Sequence, residues 1–335
     1  MSGGVDSSVA AALLVHDGLS VIGLHMALHQ EPSAGLARAR QVCERLGIPL
    51  HTVDLRPEFR EGVVGKFAAA YRAGRTPNPC LSCNPEIKFG VLLERARELY
   101  GAWTLATGHY ARLSAPADGD QRQLLRGADR DKEQSYFLAL VPRSRLSYLS
   151  FPLGGLRKSR VRELAADLRF WAELPAESQE VCFLGGADYR SLLAGMDSPG
   201  DIVDLAGNVL GRHGGVWRYT IGQRRGLGVA GKRPLYVKAL DVAANRVVVA
   251  AGDEAPFTSM VVGELNWLSH PRSELRCTVR SRYRQTDQAC TATLGADGTL
   301  SVVFDRPQQA LAAGQGAVFY QGERVLAGGI IEAAS

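Results

Sequence analysis

The sequence predicts an α/β protein: a parallel-sheet domain carrying a phosphate-binding loop, followed by two small β-rich modules, the last a β-barrel. Three observations support this. The loop Ser2-Gly-Gly-Val-Asp-Ser-Ser8 runs straight into an apolar, helix-forming stretch, residues 9–15. Strand-like and helix-like segments then alternate as far as Val141, the pattern of a parallel sheet covered on both faces. Beyond Ser198-Pro-Gly200 the texture changes to short β-rich runs separated by glycine turns, as in small sandwiches and barrels.

Taken in order, Ser20-Val-Ile-Gly-Leu-His25 reads as a strand, 37–46 as a helix and 49–55 as a strand. Helices follow over 58–73 and 85–100, then a strand over 102–108 and a further helix over 156–168. Strands at 216–221, 235–241 and 246–251 form one β group. Those at 261–268, 276–284, 300–304, 318–320 and 325–332 form the other. The domains are accordingly placed at 1–195, 196–258 and 259–335, with no internal repeat. Ligands of such parallel sheets sit at the strands' C-terminal ends, where the first loop and the turn at Ala106-Thr-Gly-His109 would meet.

The 335 residues, 46% hydrophobic and 22% charged, describe a globular chain of two or three domains. No apolar run reaches the length of a membrane span, and the start lacks the basic and small-residue features of a signal peptide. The expected location is the cytoplasm. A net charge of +5 leans toward an anionic partner. Six cysteines over this length are not a secreted disulfide scaffold and read as metal-binding, redox or buried thiols.

In the first loop, two glycines allow a sharp turn, and hydroxyls and amides converge at a helix start, an arrangement suited to phosphate. The bland alternative is a glycine turn before a core helix. There is no Gly-Lys-Ser/Thr, so the loop is not a Walker loop. It resembles the pyrophosphate-binding loop of ATP pyrophosphatases. A second cluster is Thr76-Pro-Asn-Pro-Cys-Leu-Ser-Cys-Asn-Pro-Glu-Ile-Lys-Phe89. Asn84 reads as the cap of a helix beginning near Pro85, which places Cys83 at a helix N-terminus one turn from Lys88; both features favour thiolate. Cys182 lies about a hundred residues downstream, and two such thiols suit sulfur transfer. Cys43, Cys277 and Cys290 are expected to be buried and inert. Arg280, Arg282 and Arg284 alternate on an expected strand and would share one face, fit to follow a phosphate backbone; a solvated strand face is the bland reading.

These motifs, with Gly74-Arg-Thr-Pro-Asn-Pro79, Lys132-Glu-Gln-Ser-Tyr-Phe137 and Tyr219-Thr-Ile-Gly-Gln-Arg-Arg-Gly-Leu-Gly228, are collinear along the chain. Together they resemble the tRNA-specific 2-thiouridylases, of the ATP pyrophosphatase (adenine nucleotide alpha-hydrolase-like) superfamily. The resemblance implies ATP-dependent 2-thiolation of the wobble uridine of lysine-, glutamate- and glutamine-type tRNA, with ATP and Mg²⁺ as cofactors. It also implies a sulfur-donor protein, a desulfurase or sulfur carrier, as partner. Met1, Ser2, Gly3, Gly4, Val5, Asp6, Ser7, Met26 and Gly108 would hold ATP. Cys182 would carry a persulfide, and Cys83 would be the partner nucleophile, releasing sulfide or resolving the adduct as a disulfide. Asn78, Pro79 and Cys80 would meet the target base. His109, Lys132, Glu133, Gln134, Arg282, Tyr283 and Gln315 would meet tRNA.

Departures from the pattern keep alternatives open. Cys80 stands where Asp is common, so Cys80, Cys83 and Cys182 could instead ligate a [4Fe-4S] cluster. The segment Glu177-Ser-Gln-Glu-Val before Cys182 is atypical. A phosphate loop of this kind normally follows a buried strand, yet only Met1 precedes it, so the first strand is expected to be missing from the recorded start. That defect motivates a rival reading as a non-catalytic tRNA-binding relic. Another adenylating enzyme of the superfamily is a further rival.

Overall fold

A computed structural model describes residues 1–29, 34–115, 122–168 and 197–335. Helix α1 (Val5–His16) follows the phosphate loop, then strand β1 (Gly23–Ala27), helix α2 (Ala34–Leu46) and strand β2 (Leu50–Asp54). β1 and β2 pair in parallel, with Met26 beside Val53. Two continuous helical runs come next, α3 over residues 56–72 and α4 over 79–100, each with a π-wound stretch in its middle. β3 (Leu105–Ala106) leads into the hairpin β4 (Ala111–Leu113) and β5 (Leu124–Arg126). β6 (Leu149–Ser150) pairs in parallel with β3, and α5 (Lys158–Asp167) packs on α1. Among the described residues β1–β2 and β3–β6 are two separate two-stranded ladders. Met1 donates its amine to the Leu24 carbonyl, and its own carbonyl pairs with His25 Nδ1 at 2.9 Å.

The central module is a four-stranded sheet in the order β8-β7-β10-β9, from β7 (Gly200–Val203), β8 (Val209–His213), β9 (Leu235–Asp241) and β10 (Arg246–Ala251). The expected strand at 216–221 is instead a short 3₁₀ turn, Val216–Arg218. Its Trp217 packs with Phe67 and Tyr71 of α3, so the segment serves as a plug between modules rather than a ladder.

The C-terminal module is a closed six-stranded barrel. β11 (Phe257–Trp267), β12 (Glu274–Arg280), β13 (Gln288–Leu294), β14 (Leu300–Gln308), β15 (Gly316–Gln321) and β16 (Arg324–Ala334) run in the order β11-β14-β13-β12-β15-β16. Pairing of β11 with β16 closes the ring. Alternation in Leu300-Ser-Val-Val-Phe304 turns Leu300, Val302 and Phe304 inward, where they pack with fully buried Val279 and Phe319. Cys277 and Cys290 are cross-strand neighbours in this core, and Cys43 is buried under α2, as their apolar settings predict.

The hairpin β4–β5 is added to the barrel: β5 joins β16 through Leu125 and Arg324, extending the sheet to eight strands. A buried ion network seals the seam. Arg126 meets Asp287 at 2.5 Å and lies 3.5 Å over the Tyr320 ring. Arg280 meets Asp287 at 2.6 Å and Glu133, whose side chain is 1% exposed, at 3.1 Å. This corrects the arginine row: β12 ends at Arg280, whose side chain turns into the network. Residues 281–285 form a turn in which Gln285 Oε1 accepts from Ser281 N and Oγ at 3.0 and 2.6 Å. Arg282 and Arg284 remain exposed on that turn.

Removing one partner of a buried, hydrogen-bonded ion pair costs about 1–3 kcal/mol, whereas exposed pairs contribute little. Glu133→Gln is therefore expected to lower the midpoint of chemical denaturation clearly, while Arg276→Gln, which breaks the exposed Arg276–Asp305 pair, leaves it unchanged.

Candidate active site

The phosphate loop is folded by its own hydroxyls. Ser7 and Ser8 donate to the Gly4 carbonyl at 3.0 and 2.9 Å, and Ser2 Oγ lies 3.0 Å from Ser7 Oγ. Gly3 has a φ of 73°, and a Cβ there would stand 2.3 Å from the Gly35 carbonyl oxygen. Only glycine lets the loop lie so close to α2. Gly4 sits at the N-cap of α1 without a capping side chain, which leaves the first-turn amides of Val5, Asp6 and Ser7 for an anion.

The turn after β3 closes onto this cup. A Cβ at Gly108 would come within 2.8 Å of the Asp6 backbone and side chain, so the two loops touch through glycine. Asp6 accepts from Tyr110 Oη at 2.7 Å and from Lys158 Nζ at 2.7 and 2.9 Å. Neither partner was legible in the sequence: Lys158 is 152 residues from Asp6, and nothing in its local pattern marks it.

The strand ends, the phosphate loop and α4 enclose a cavity of about 1370 Å³. It brings together Met1, Ser2, Asp6 and Ser7 of the loop, Met26 of β1, Gly108 and His109, Pro79, Cys80 and Cys83 of α4, and Gln134. Lys88 also lines it. Asn78, Lys132, Glu133, Arg282, Tyr283 and Gln315 lie outside the lining. Cys182 falls outside the described residues.

Helix α4 begins earlier than its sequence suggests. Asn78 is the N-cap, its Oδ1 accepting the Cys80 amide at 3.1 Å, with Pro79 in the first helical position. Cys80 therefore occupies the first turn and is exposed, while Cys83 ends the α-helical stretch and is buried at 7% exposure. The downstream Asn84 caps nothing; its Nδ2 donates to the Phe137 carbonyl at 2.8 Å. The approach to this helix is held by the barrel, where Thr76 N donates to the Ala313 carbonyl at 2.7 Å and Gln315 Nε2 to the Thr76 carbonyl at 2.9 Å.

The remaining residues are held by their own contacts. Gln134 is bonded to the backbone of Tyr110 through both its amide nitrogen and its side chain, at 2.8 and 3.0 Å. Glu133 is engaged inward by Arg280 and by the Ser135 amide. Tyr283 packs on Phe137 at 4.3 Å between centroids, half-buried against the core. His109 pairs through Nδ1 with Thr107 Oγ1 at 2.7 Å. Burial in the cleft, and then the charge of Lys88, hold its pKa well below the usual 6.5. It is neutral at neutral pH, a hydrogen-bonding ring rather than a cation.

Fold and site define a phosphate-loop α/β protein with two appended β modules. Family models match in three consecutive parts: the tRNA methyl transferase HUP domain over residues 1–186, its PRC-barrel domain over 194–251, and the aminomethyltransferase β-barrel domain over 257–331. The chain is 46% identical over 353 aligned positions to the tRNA-specific 2-thiouridylase MnmA of Sodalis glossinidius, covering 99% of this chain and 95% of that protein. It is 43% identical to the Haemophilus ducreyi protein of the same name, covering 99% and 91%, and 44% to that of Escherichia coli K12, covering 99% and 95%. The chain belongs to the tRNA-specific 2-thiouridylase family. A solved NMN synthetase from Francisella tularensis, at 18% identity, aligns over 57% of this chain and 72% of its own with a TM-score of 0.32, too remote to carry any argument.

Two outcomes follow from this geometry. Gly108→Ala drives a methyl into Asp6, and is expected to weaken ATP binding about tenfold or more (about 1.4 kcal/mol) with tRNA binding retained, both read by equilibrium titration. His109, with its folded pKa depressed, binds fewer protons than the unfolded chain below pH 6.5. Stability is thus full above that pH and falls as pH drops toward the folded value. His109→Gln should flatten part of that acid-side loss in melting scans; His25, His213 and the Met1 amine, whose pKa burial lowers to about 6, contribute further loss.

Proposed function

We propose that this protein thiolates the wobble uridine of lysine-, glutamate- and glutamine-type tRNA at C2, using ATP and a cysteine-borne sulfur. The observation that carries the reading is the single cleft in which the phosphate loop, Gly108 and Cys83 face one another. At about 1370 Å³ it exceeds the roughly 300–1,000 Å³ of a one-ligand pocket, leaving room for a nucleotide and a base splayed from its stack.

In this reading the cup of residues 2–8 takes the β and γ phosphates with Mg²⁺, and Met26 and Gly108 border the rest of ATP. The uridine O2 attacks the α-phosphorus, pyrophosphate leaves, and C2 carries AMP as its leaving group. Cys182, loaded as a persulfide by a sulfur-donor protein, attacks C2 through its outer sulfur and AMP departs. Cys83 thiolate then attacks the inner sulfur of Cys182. The S–S bond breaks toward the nucleoside, leaving 2-thiouridine and a Cys83–Cys182 disulfide for a thiol reductant to reopen.

Asn78, Pro79 and Cys80, at the start of α4, would meet the base. Lys132, Gln134, Arg282, Tyr283 and Gln315 would contact tRNA directly or brace the elements that do, and Glu133 acts as a brace for the seam. Cys80 and Cys83 lie in one turn of α4, while Cys182, the third thiol of the cluster alternative, falls outside the described residues; no step is routed through a cluster. No helix among the described residues is long and apolar enough to cross a membrane.

The test is anaerobic thiolation of unmodified glutamate, glutamine and lysine tRNA transcripts with ATP, Mg²⁺ and sulfide, read as retardation on a mercury-containing gel. ATP-dependent retardation is expected; because sulfide can attack the adenylated C2 directly, Cys83→Ser and Cys182→Ser should both retain it with sulfide and lose it when a persulfide-loaded sulfur-donor protein replaces sulfide. No product from a protein that still binds tRNA would sink the catalytic reading in favour of a binding-only protein.

A further inference from the structure

The acid inside the phosphate loop poses an electrostatic problem. A carboxylate beside a polyphosphate repels it, and Asp6 lines the cavity in which the phosphates would sit. Lys158 answers it from behind. Its ammonium reaches both Asp6 oxygens, at 2.7 and 2.9 Å, while the side chain is only 7% exposed and does not line the cavity.

The lysine is aimed by fixed structure. It opens α5, and its own amide donates to Asp129 Oδ2 at 2.7 Å. Upstream, a Cβ at Gly154 would overlap the Ala111 carbonyl oxygen at 1.8 Å, so that segment is locked against β4. Tyr110, whose hydroxyl holds Asp6 Oδ1, also lies with its ring 5.5 Å from the ammonium. Asp6 is thus gripped from the side away from the loop's amides.

We propose that Lys158 is a positioning residue for the phosphate loop: it holds Asp6 neutralised and turned back, so that the amide cup presents positive potential to a polyphosphate. The lysine acts through Asp6 and does not itself touch the nucleotide. The inference rests on reading residues 2–8 as the ATP phosphate loop.

The experiment is calorimetric titration of ATP and of AMP, in EDTA so that no metal bridges loop and phosphate. The proteins are the full chain, Lys158→Met, Lys158→Arg and the double variant Asp6→Asn with Lys158→Met. Lys158→Met is expected to weaken ATP about tenfold (about 1.4 kcal/mol) and AMP less than about twofold, since AMP lacks the β and γ phosphates. Lys158→Arg should restore most of the loss. The charge-neutral double variant should return ATP affinity to within about threefold of the unmodified chain. If Lys158→Met does not fold, the double variant and Lys158→Arg decide. ATP binding as weak in the double variant as the loss of a direct phosphate contact demands (about tenfold or more) would overturn the proposal. So would Lys158→Met weakening ATP and AMP equally, or weakening neither. An unmodified chain that binds ATP no better than AMP would instead sink the phosphate-loop reading itself.

Discussion

The contact on which the site depends is the approach of Gly108 to Asp6. A methyl group at either Gly3 or Gly108 would collide with backbone, with Gly35 in the first case and Asp6 in the second. The phosphate loop is therefore pressed between α2 on one side and the turn after β3 on the other. Its curvature comes from three serine hydroxyls, but its place comes from this double contact. Because the turn after β3 also carries His109 and Tyr110, the approach that seats the loop sets the walls of the cleft at the same time. Tyr110 passes the constraint on, bonding Asp6 through its hydroxyl and Gln134 through its backbone.

From Gln134 the structure runs into the barrel. Glu133, one residue away, is buried against Arg280, and Arg280 shares Asp287 with Arg126 of the hairpin β4–β5. A buried pair of this sort contributes little net stability relative to a well-packed apolar seam, and its value lies in fixing geometry. Here it fixes the angle between the turn at 281–285 and the loop at 132–134. The other tether is backbone-mediated: Thr76 is held on both sides by the 313–315 segment. The barrel thereby orients the entrance to α4, although none of its residues lines the cavity.

Much of this was legible because it is local. The phosphate loop, the parallel alternation and the barrel's alternating strands each declare themselves within a few residues. What failed was local too, and for an identifiable reason. Asn78-Pro79 and Asn84-Pro85 carry the same signature, a capping side chain followed by a residue tolerated in the first helical position. Sequence alone gave no way to choose between them. The upstream pair starts the helix, and Asn84 spends its amide on Phe137. The arginine row failed for a related reason: period-two spacing predicts a shared face only while the strand lasts, and it lasts to Arg280. Features joined over long separations were out of reach. The hairpin β4–β5 is two three-residue strands, of which β5 reaches the barrel at Arg324, and Lys158 finds Asp6 across the fold.

The shift of the helix start changes the chemistry assigned to the two cysteines. Had α4 begun at Pro85, Cys83 would have faced the positive end of a helix, which favours its thiolate. With the start at Pro79, that end belongs to Cys80, an exposed thiol in the first turn. Cys83 instead sits buried one turn further on, with Lys88 lining the same cleft. In the proposed reaction, then, the helix end would not supply its activation. That would suit the role proposed for Cys83, cleaving an S–S bond after a covalent adduct has formed. A thiolate generated too early, beside a base activated for attack, would compete with the persulfide for the same carbon.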